Sequence, residues 1–164
     1  MSDINPIRLL LDDMRERITE IDDFLELGIY LRNFSQDLEI IGSGLKMYSN
    51  ENTSSDGFKA IKDGISRLYR NTVVDMRGMI LGDRFVSQKK TANAQEIVNI
   101  VQTLDSLLQK LCDKAKDGEP KGMRDCYDEI LDKTLEQRSI IHQRARMVVH
   151  QLIEFVTKLA DQLK

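Results

Sequence analysis

The segment between Arg138 and His150 holds both histidines of the chain, interleaved with arginines. On an α-helix, Arg138, His142 and Arg146 follow one another at four-residue spacing, which places them on one face. An imidazole can give or take a proton near neutral pH, and a guanidinium can stabilise charge that develops on a phosphate. The chemistry that these residue types could carry is therefore cleavage or transfer at a phosphate.

The spacing of Arg144 and His150 indicates one such chemistry. The pair resembles the R-x4–6-H pattern of HEPN-type nucleases, and these two residues alone carry the resemblance. It implies an RNA-cleaving helical domain, in which the pair activates a ribose hydroxyl and stabilises the developing phosphate charge. The residue after the arginine is Ala145, where that pattern has a polar residue.

Two further interpretations concern the same segment. His142, with Arg138 and Arg146 beside it, could serve as a phosphotransfer histidine, which also occurs on four-helix bundles. The small residues that let a receiver domain approach are absent around it. The remaining interpretation is a solvated basic face with histidines at its border, and we favour it because it requires no further residue.

Metal and cofactor sites are not indicated by the sequence. Zinc needs clustered cysteine or histidine ligands, and a di-iron bundle needs Glu-x-x-His pairs, neither of which occurs. The sequence Gly42-Ser43-Gly44 lacks the Gly-Lys-Ser/Thr ending of a phosphate-binding loop. We therefore expect no metal and no cofactor. Cys112 and Cys126 are expected to be reduced.

Composition narrows the class of protein. Of the 164 residues, 41% are hydrophobic and 31% are charged, with two prolines and no tryptophan. A net charge of −3 and an aromatic content of 5% disfavour nucleic-acid binding. No window resembles a membrane span, and the first residues do not resemble a secretory signal. We expect a cytoplasmic protein in a reducing compartment, and a secreted effector stays an open alternative.

Apolar residues recur at alternating spacings of three and four, which is typical of helices that pack side by side. The pattern predicts an all-α chain with one domain over residues 1–164. Its predicted helices cover about 6–48, 56–89, 91–117 and 122–163, and the second is the weakest because Gly64, Gly78 and Gly82 lie inside it. A bend or a stop is possible at Gly42–Gly44, and Gly78 with Gly82 predicts a close helix crossing.

Short loops between these helices predict an elongated up-down-up-down four-helix bundle with coiled-coil-like heptad packing. The first and fourth helices would then overhang the other two at the end where the chain termini meet. An uncovered apolar overhang usually marks an interface, so we expect a homodimer through this end. The interface candidates are Ile7, Leu10, Leu11, Met14, Leu152, Phe155, Val156 and Leu159.

Charge is also patterned along the first two helices. Arg70, Arg77 and Arg84 recur every seven residues on the second helix. An acidic strip on the first helix consists of Asp12, Asp13, Glu16, Glu20 and Asp23. The two strips could face one another and set the helix register, or one could recruit a charged partner.

These features predict a non-enzymatic protein–protein interaction module that presents helix faces and self-associates. An adaptor, a chaperone-like protein or an assembly factor fits this description, with a partner whose identity the sequence does not name. The alternative is an enzyme, either the HEPN-like nuclease or the phosphotransfer domain described above.

Overall fold

The computed structural model describes residues 5–81 and 92–164, and the chain is all-α as predicted. The helices are α1 (Pro6–Tyr48), α2 (Ser54–Leu68), α3 (Val74–Leu81), α4 (Ala92–Asp117) and α5 (Pro120–Gln162). A π-helical turn, Tyr69–Val73, joins α2 to α3 without a break. The described ranges contain no β-strand. The predicted extension of the second helix to residue 89 lies outside the described residues.

Local chemistry accounts for the helix ends. The Asn5 side chain accepts a hydrogen bond from the backbone N–H of Ile7 at 3.0 Å, and Pro6 occupies the first helical position. Gly118 adopts a φ of +68°, which ends α4 and lets α5 begin at Pro120. The Tyr48 hydroxyl donates to the Gly118 carbonyl at 2.7 Å, so the end of α1 is fixed beside this turn.

α4 and α5 run antiparallel to each other. Two ion pairs join them: Glu96 with Arg144 at 3.0 Å, and Lys110 with Glu129. Lys110 comes later than Glu96 on α4, whereas Glu129 comes earlier than Arg144 on α5. α1 packs extensively against α2 and α5, and α4 packs against α5, whereas α2 and α4 contact each other much less. The largest fully buried side chains are Phe24, Phe34, Leu27, Leu31, Leu38, Ile41, Ile61, Leu68, Met76, Ile97, Leu104 and Leu108.

Glycines set the distance between α1 and α2. A Cβ atom on Gly44 would lie 2.9 Å from the backbone nitrogen of Ile61, and one on Gly64 would lie 2.7 Å from Cγ1 of Ile41. α1 continues through Gly42–Gly44 without a stop. The glycine at position 44 instead allows α2 to approach closely. At Gly78, where a close crossing was predicted, an added Cβ would meet no atom of another described helix within 4 Å. Gly82 lies outside the described residues.

The π-helical turn was not predicted from the sequence. It inserts one extra residue into the helical register and buries Thr72 and Val73. The Thr72 hydroxyl oxygen is buried without a hydrogen-bond partner in the described ranges. By contrast, the buried Thr134 hydroxyl donates to the Ile130 carbonyl at 2.7 Å. The turn therefore places a polar group in the core at a cost in stability.

Candidate protein-interaction surface

α1 and α5 extend past the described ends of α3 and α4. The first buried residue of α1 is Glu20, and the last buried residue of α5 is Val148. The Asn93 side chain, in the first turn of α4, donates to Glu20 Oε2 at 3.0 Å and marks where this helix begins beside α1. In the part of the chain that the structure describes, the helix segments 6–19 and 149–162 therefore form a two-helix extension.

The two segments of the extension hold each other through polar and apolar contacts. Arg17 Nη1 donates to Gln151 Oε1 at 3.2 Å across the pair. Six of the eight predicted interface residues are half-buried in the extension. These are Ile7, Leu10 and Met14 on α1, and Leu152, Phe155 and Leu159 on α5. Their spacing places them on the sides where the two helices meet, so they stabilise the extension itself.

The other two predicted interface residues, Leu11 and Val156, are exposed, and they belong to a longer row of exposed apolar side chains. We call this row the outer seam. On α1 it consists of Leu11, Ile18, Leu25 and Ile29, and on α5 and its C-cap it consists of Val149, Ile153, Val156, Ala160 and Leu163. Leu25 is 57% exposed, Ile29 59% and Ile153 55%.

The spacing of the outer seam is that of a second packing surface. Its α5 residues alternate four and three apart, which is the heptad spacing of a coiled coil. On α1 three of them recur every seven residues. Val149 directly follows the buried Val148, and Leu25 directly follows the buried Phe24, so each lies about 100° round its helix from a buried side chain. The outer seam is therefore distinct from the buried core.

Both parts of the outer seam lie on one face of the α1–α5 pair. A Cβ atom on Gly42 would lie 2.5 Å from the Tyr127 hydroxyl, so these two positions face one another. Gly42 lies four residues after the buried Leu38, so it is rotated about 40° from the core side of α1. Tyr127 stands in the same relation to the buried Met123 on α5. On both helices the interhelical contact lies between the core and the outer seam. The seam therefore faces away from α2 and α4.

The structure does not bring Arg144 and His150 together. Arg144 Nε pairs with Glu96 Oε2 of α4 at 3.0 Å, whereas His150 is exposed and lies about 120° round the helix from it. His142 is exposed and has no hydrogen-bond partner among the described residues. No observation on this segment favours nuclease or phosphotransfer chemistry.

The arginine strip does not face the acidic strip at the described positions. Arg77 makes a two-pronged contact with Asp105 of α4, with Nε to Oδ2 at 2.8 Å and Nη2 to Oδ1 at 2.6 Å. The hydrogen bond to Asp105 raises the pKa of Arg77 above its ordinary value. Arg70 is exposed, and Arg84 lies outside the described residues. Of the two alternatives for these strips, the one in which they face each other does not hold at Arg77.

The acidic strip is met instead by arginines of its own helix. Arg17 Nη2 lies 3.1 Å from Glu16 and 3.3 Å from Glu20, and Arg15 lies 3.8 Å from Asp12. The buried Glu20 carboxylate thus has partners on both α1 and α4.

Comparisons with known proteins gave no family: no family model, no curated protein and no solved structure matches the chain. Among residues 5–81 and 92–164, no group of three histidine, cysteine or acidic residues could hold a metal ion. Cys112 and Cys126 are both free thiols. No helix in the same ranges has an apolar stretch long enough to cross a membrane.

Proposed function

We propose that the chain is a non-enzymatic interaction module that self-associates, with a second copy seated on the outer seam. An adaptor, a chaperone-like protein or an assembly factor has this character. The proposal treats the molecule as an elongated up-down-up-down four-helix bundle with coiled-coil-like heptad packing. Its proposed location is the cytoplasm, where free thiols such as Cys112 and Cys126 are the rule.

The observation that carries the proposal is the exposure of the outer seam. Its eight large side chains, about half exposed, present roughly 600 Å² of apolar surface, which is the upper end of what monomeric proteins carry. Two such faces would bury about 1,200 Å², the size at which stable interfaces begin. The match in area supports a second copy as the occupant.

Symmetry supports the same occupant. In a two-fold dimer each copy offers the same patch, so a self-complementary surface is required. A pair of antiparallel helices with heptad spacing on its outer face is such a surface, since a second pair can complete a four-helix layer across it. The seam also offers apolar groups on both α1 and α5, so either helix can meet either helix of the second copy.

The mass of the full chain in solution tests this proposal. We expect multi-angle light scattering to give twice 18.9 kDa for the wild type. The variant with Ile153→Glu and Val156→Glu should have the mass of one chain, because both substitutions place a charge on the outer seam. Phe155 and Leu159 are unsuitable for this purpose, because they lie half-buried between α1 and α5.

A matched control adds the same charge away from the seam. Gln102→Glu with Gln143→Glu introduces two carboxylates at exposed positions of α4 and α5 and should keep the wild-type mass. Far-ultraviolet circular dichroism should show equal helicity in all three proteins. A single-chain mass for the wild type, or an unchanged mass for the seam variant, would contradict the proposal.

A further inference from the structure

An open groove lies between α2 and α4, on the other side of the molecule from the outer seam. Its volume is about 610 Å³, and it is lined by α2, the π-helical turn and the end of α4. The groove exists because these helices pack mainly against α1 and α5 and leave their own seam partly unfilled. Small side chains on its walls, Ser66, Cys112 and Ala115, also leave space.

The floor of the groove is apolar and held in place. Ile65 and Ala115 are buried in it, and the rings of Phe58 and Tyr69 are half-buried. The Phe58 ring lies 5.6 Å from the Tyr48 ring, centroid to centroid. The Tyr69 hydroxyl donates to Gln109 Oε1 at 3.0 Å, and burial raises the pKa of this phenol above its ordinary value. The floor is therefore uncharged and preformed.

Three cations surround this floor. Lys62, Arg70 and Lys116 line the groove, and none of them forms an ion pair with a residue in the described ranges. Lys62 Nζ lies 5.1 Å from the centroid of the Phe58 ring, above the apolar surface. By contrast, Arg77 in α3 does form an ion pair, with Asp105. The groove thus combines an apolar floor with three cations that form no ion pair in the described ranges.

We propose that this groove binds an anionic amphiphile, a molecule with an alkyl or aryl body and one carboxylate or phosphate head. The body lies on Ile65, Ala115 and the two rings, and the head is held among Lys62, Arg70 and Lys116. The volume falls within the roughly 300–1,000 Å³ typical of small-molecule sites. Charge complementarity selects an anionic head, because a neutral or cationic one would leave the three cations unmatched.

Cys112 provides a reporter inside the groove. Its half-buried thiol lines the groove, whereas Cys126 is buried elsewhere in the core, so a thiol reagent should react faster with Cys112. We expect dodecanoate, below its micelle concentration, to slow the reaction of Cys112 with a disulfide reagent in a saturable manner. Dodecan-1-ol and dodecyltrimethylammonium at equal concentration should protect the thiol far less. Raising the salt concentration should weaken protection by dodecanoate.

Variants separate the contribution of charge from that of space. Lys62→Gln, Arg70→Gln and Lys116→Gln should each weaken dodecanoate protection by about 1.5-fold to fivefold, the range expected for exposed charge pairs. Lys59→Gln is the matched control: it removes an exposed cation of α2 that does not line the groove, and it should change nothing. Ser66→Trp keeps all charges but fills the groove, and it should abolish protection.

Several results would overturn the proposal. Equal protection by the alcohol or the ammonium compound would show that the three cations select nothing. Wild-type protection in Ser66→Trp, or in the variant that lacks all three cations, would place dodecanoate elsewhere. Protection by an acidic amphipathic peptide without protection by dodecanoate would assign the groove to a protein partner. Circular dichroism establishes that each variant is folded.

Discussion

Replacing Gly57 with alanine tests the packing of α1 against α2 most sharply. A Cβ atom at Gly57 would meet the backbone of α1, namely the nitrogen of Tyr48, the carbonyl oxygen of Gly44 at 2.7 Å and the carbonyl carbon of Met47 at 2.7 Å. Backbone atoms cannot rotate away as a side-chain end can. The two helices must therefore separate, and the contacts of the buried side chains between them weaken.

The magnitude follows from two opposing terms. Overpacking of this kind costs about 3 kcal/mol or more, at the upper end of the usual range, because no flexible group can yield. Alanine in place of glycine inside a helix returns about 1 kcal/mol. We therefore expect Gly57→Ala to lower the free energy of unfolding by about 2 kcal/mol or more.

Gly78→Ala is the matched control. Gly78 lies inside α3 and is exposed, and a Cβ atom added there would meet no atom of another described helix within 4 Å. The same substitution should here raise the free energy of unfolding by about 0.5–1 kcal/mol through helix propensity alone. Urea titrations followed by circular dichroism, at one fixed protein concentration, measure both values. A destabilised Gly78→Ala, or a Gly57→Ala as stable as wild type, would refute the reasoning.

Three other predictions concern polar groups. Thr72→Val should raise the free energy of unfolding by about 1 kcal/mol, because it removes a buried hydroxyl that has no partner in the described ranges. Thr134→Val loses a hydrogen bond and should bring no such gain. Urea titration measures both variants, and equal effects would contradict this prediction. A double-mutant cycle with Arg77→Met and Asp105→Asn should give an interaction free energy of about 1 kcal/mol between the two side chains. If the effects of the two substitutions on stability simply add, this ion pair does not stabilise the fold. Burial is the larger cause, and the hydrogen bond to the Glu26 carboxylate the second, that raises the pKa of Tyr30 from the ordinary 10.0 to about 12. Between these two pH values the folded chain therefore keeps a proton that the unfolded chain releases. Stability should therefore fall between about pH 10 and 12, more steeply in wild type than in Tyr30→Phe, and equal slopes would contradict the assignment.

The helical class followed from the sequence because hydrophobic periodicity is a local property of each segment. The π-helical turn did not follow, since Leu68, Thr72 and Met76 keep a four-residue spacing that an uninterrupted helix would also show. The close approach of α1 and α2 at Gly44 and Gly64 was not predicted for a related reason. Which glycine meets a neighbouring backbone depends on how helices pair, and a single segment does not contain that information.

The outer seam shows a similar limit. Ile18 and Leu25 lie seven residues apart, a spacing that core residues also show, yet both are exposed. A signal was present near Gly28, where the apolar pattern of α1 slips by one place. The slip marks the overlap of two apolar faces on one helix, one that packs in the core and one that faces outward. A one-residue shift cannot be assigned to a second face until the positions of α2 and α5 are known.

Hydroxyl-radical footprinting across a range of protein concentrations tests the central proposal most directly. The side chains of Leu25, Ile153 and Val156 should react freely in dilute solution and become protected as the concentration rises, because a second copy covers them. Val74, which is 55% exposed on α3 and lies outside the outer seam, should react equally at every concentration. Constant reactivity of the seam residues, or equal protection of Val74, would contradict a dimer built on this face.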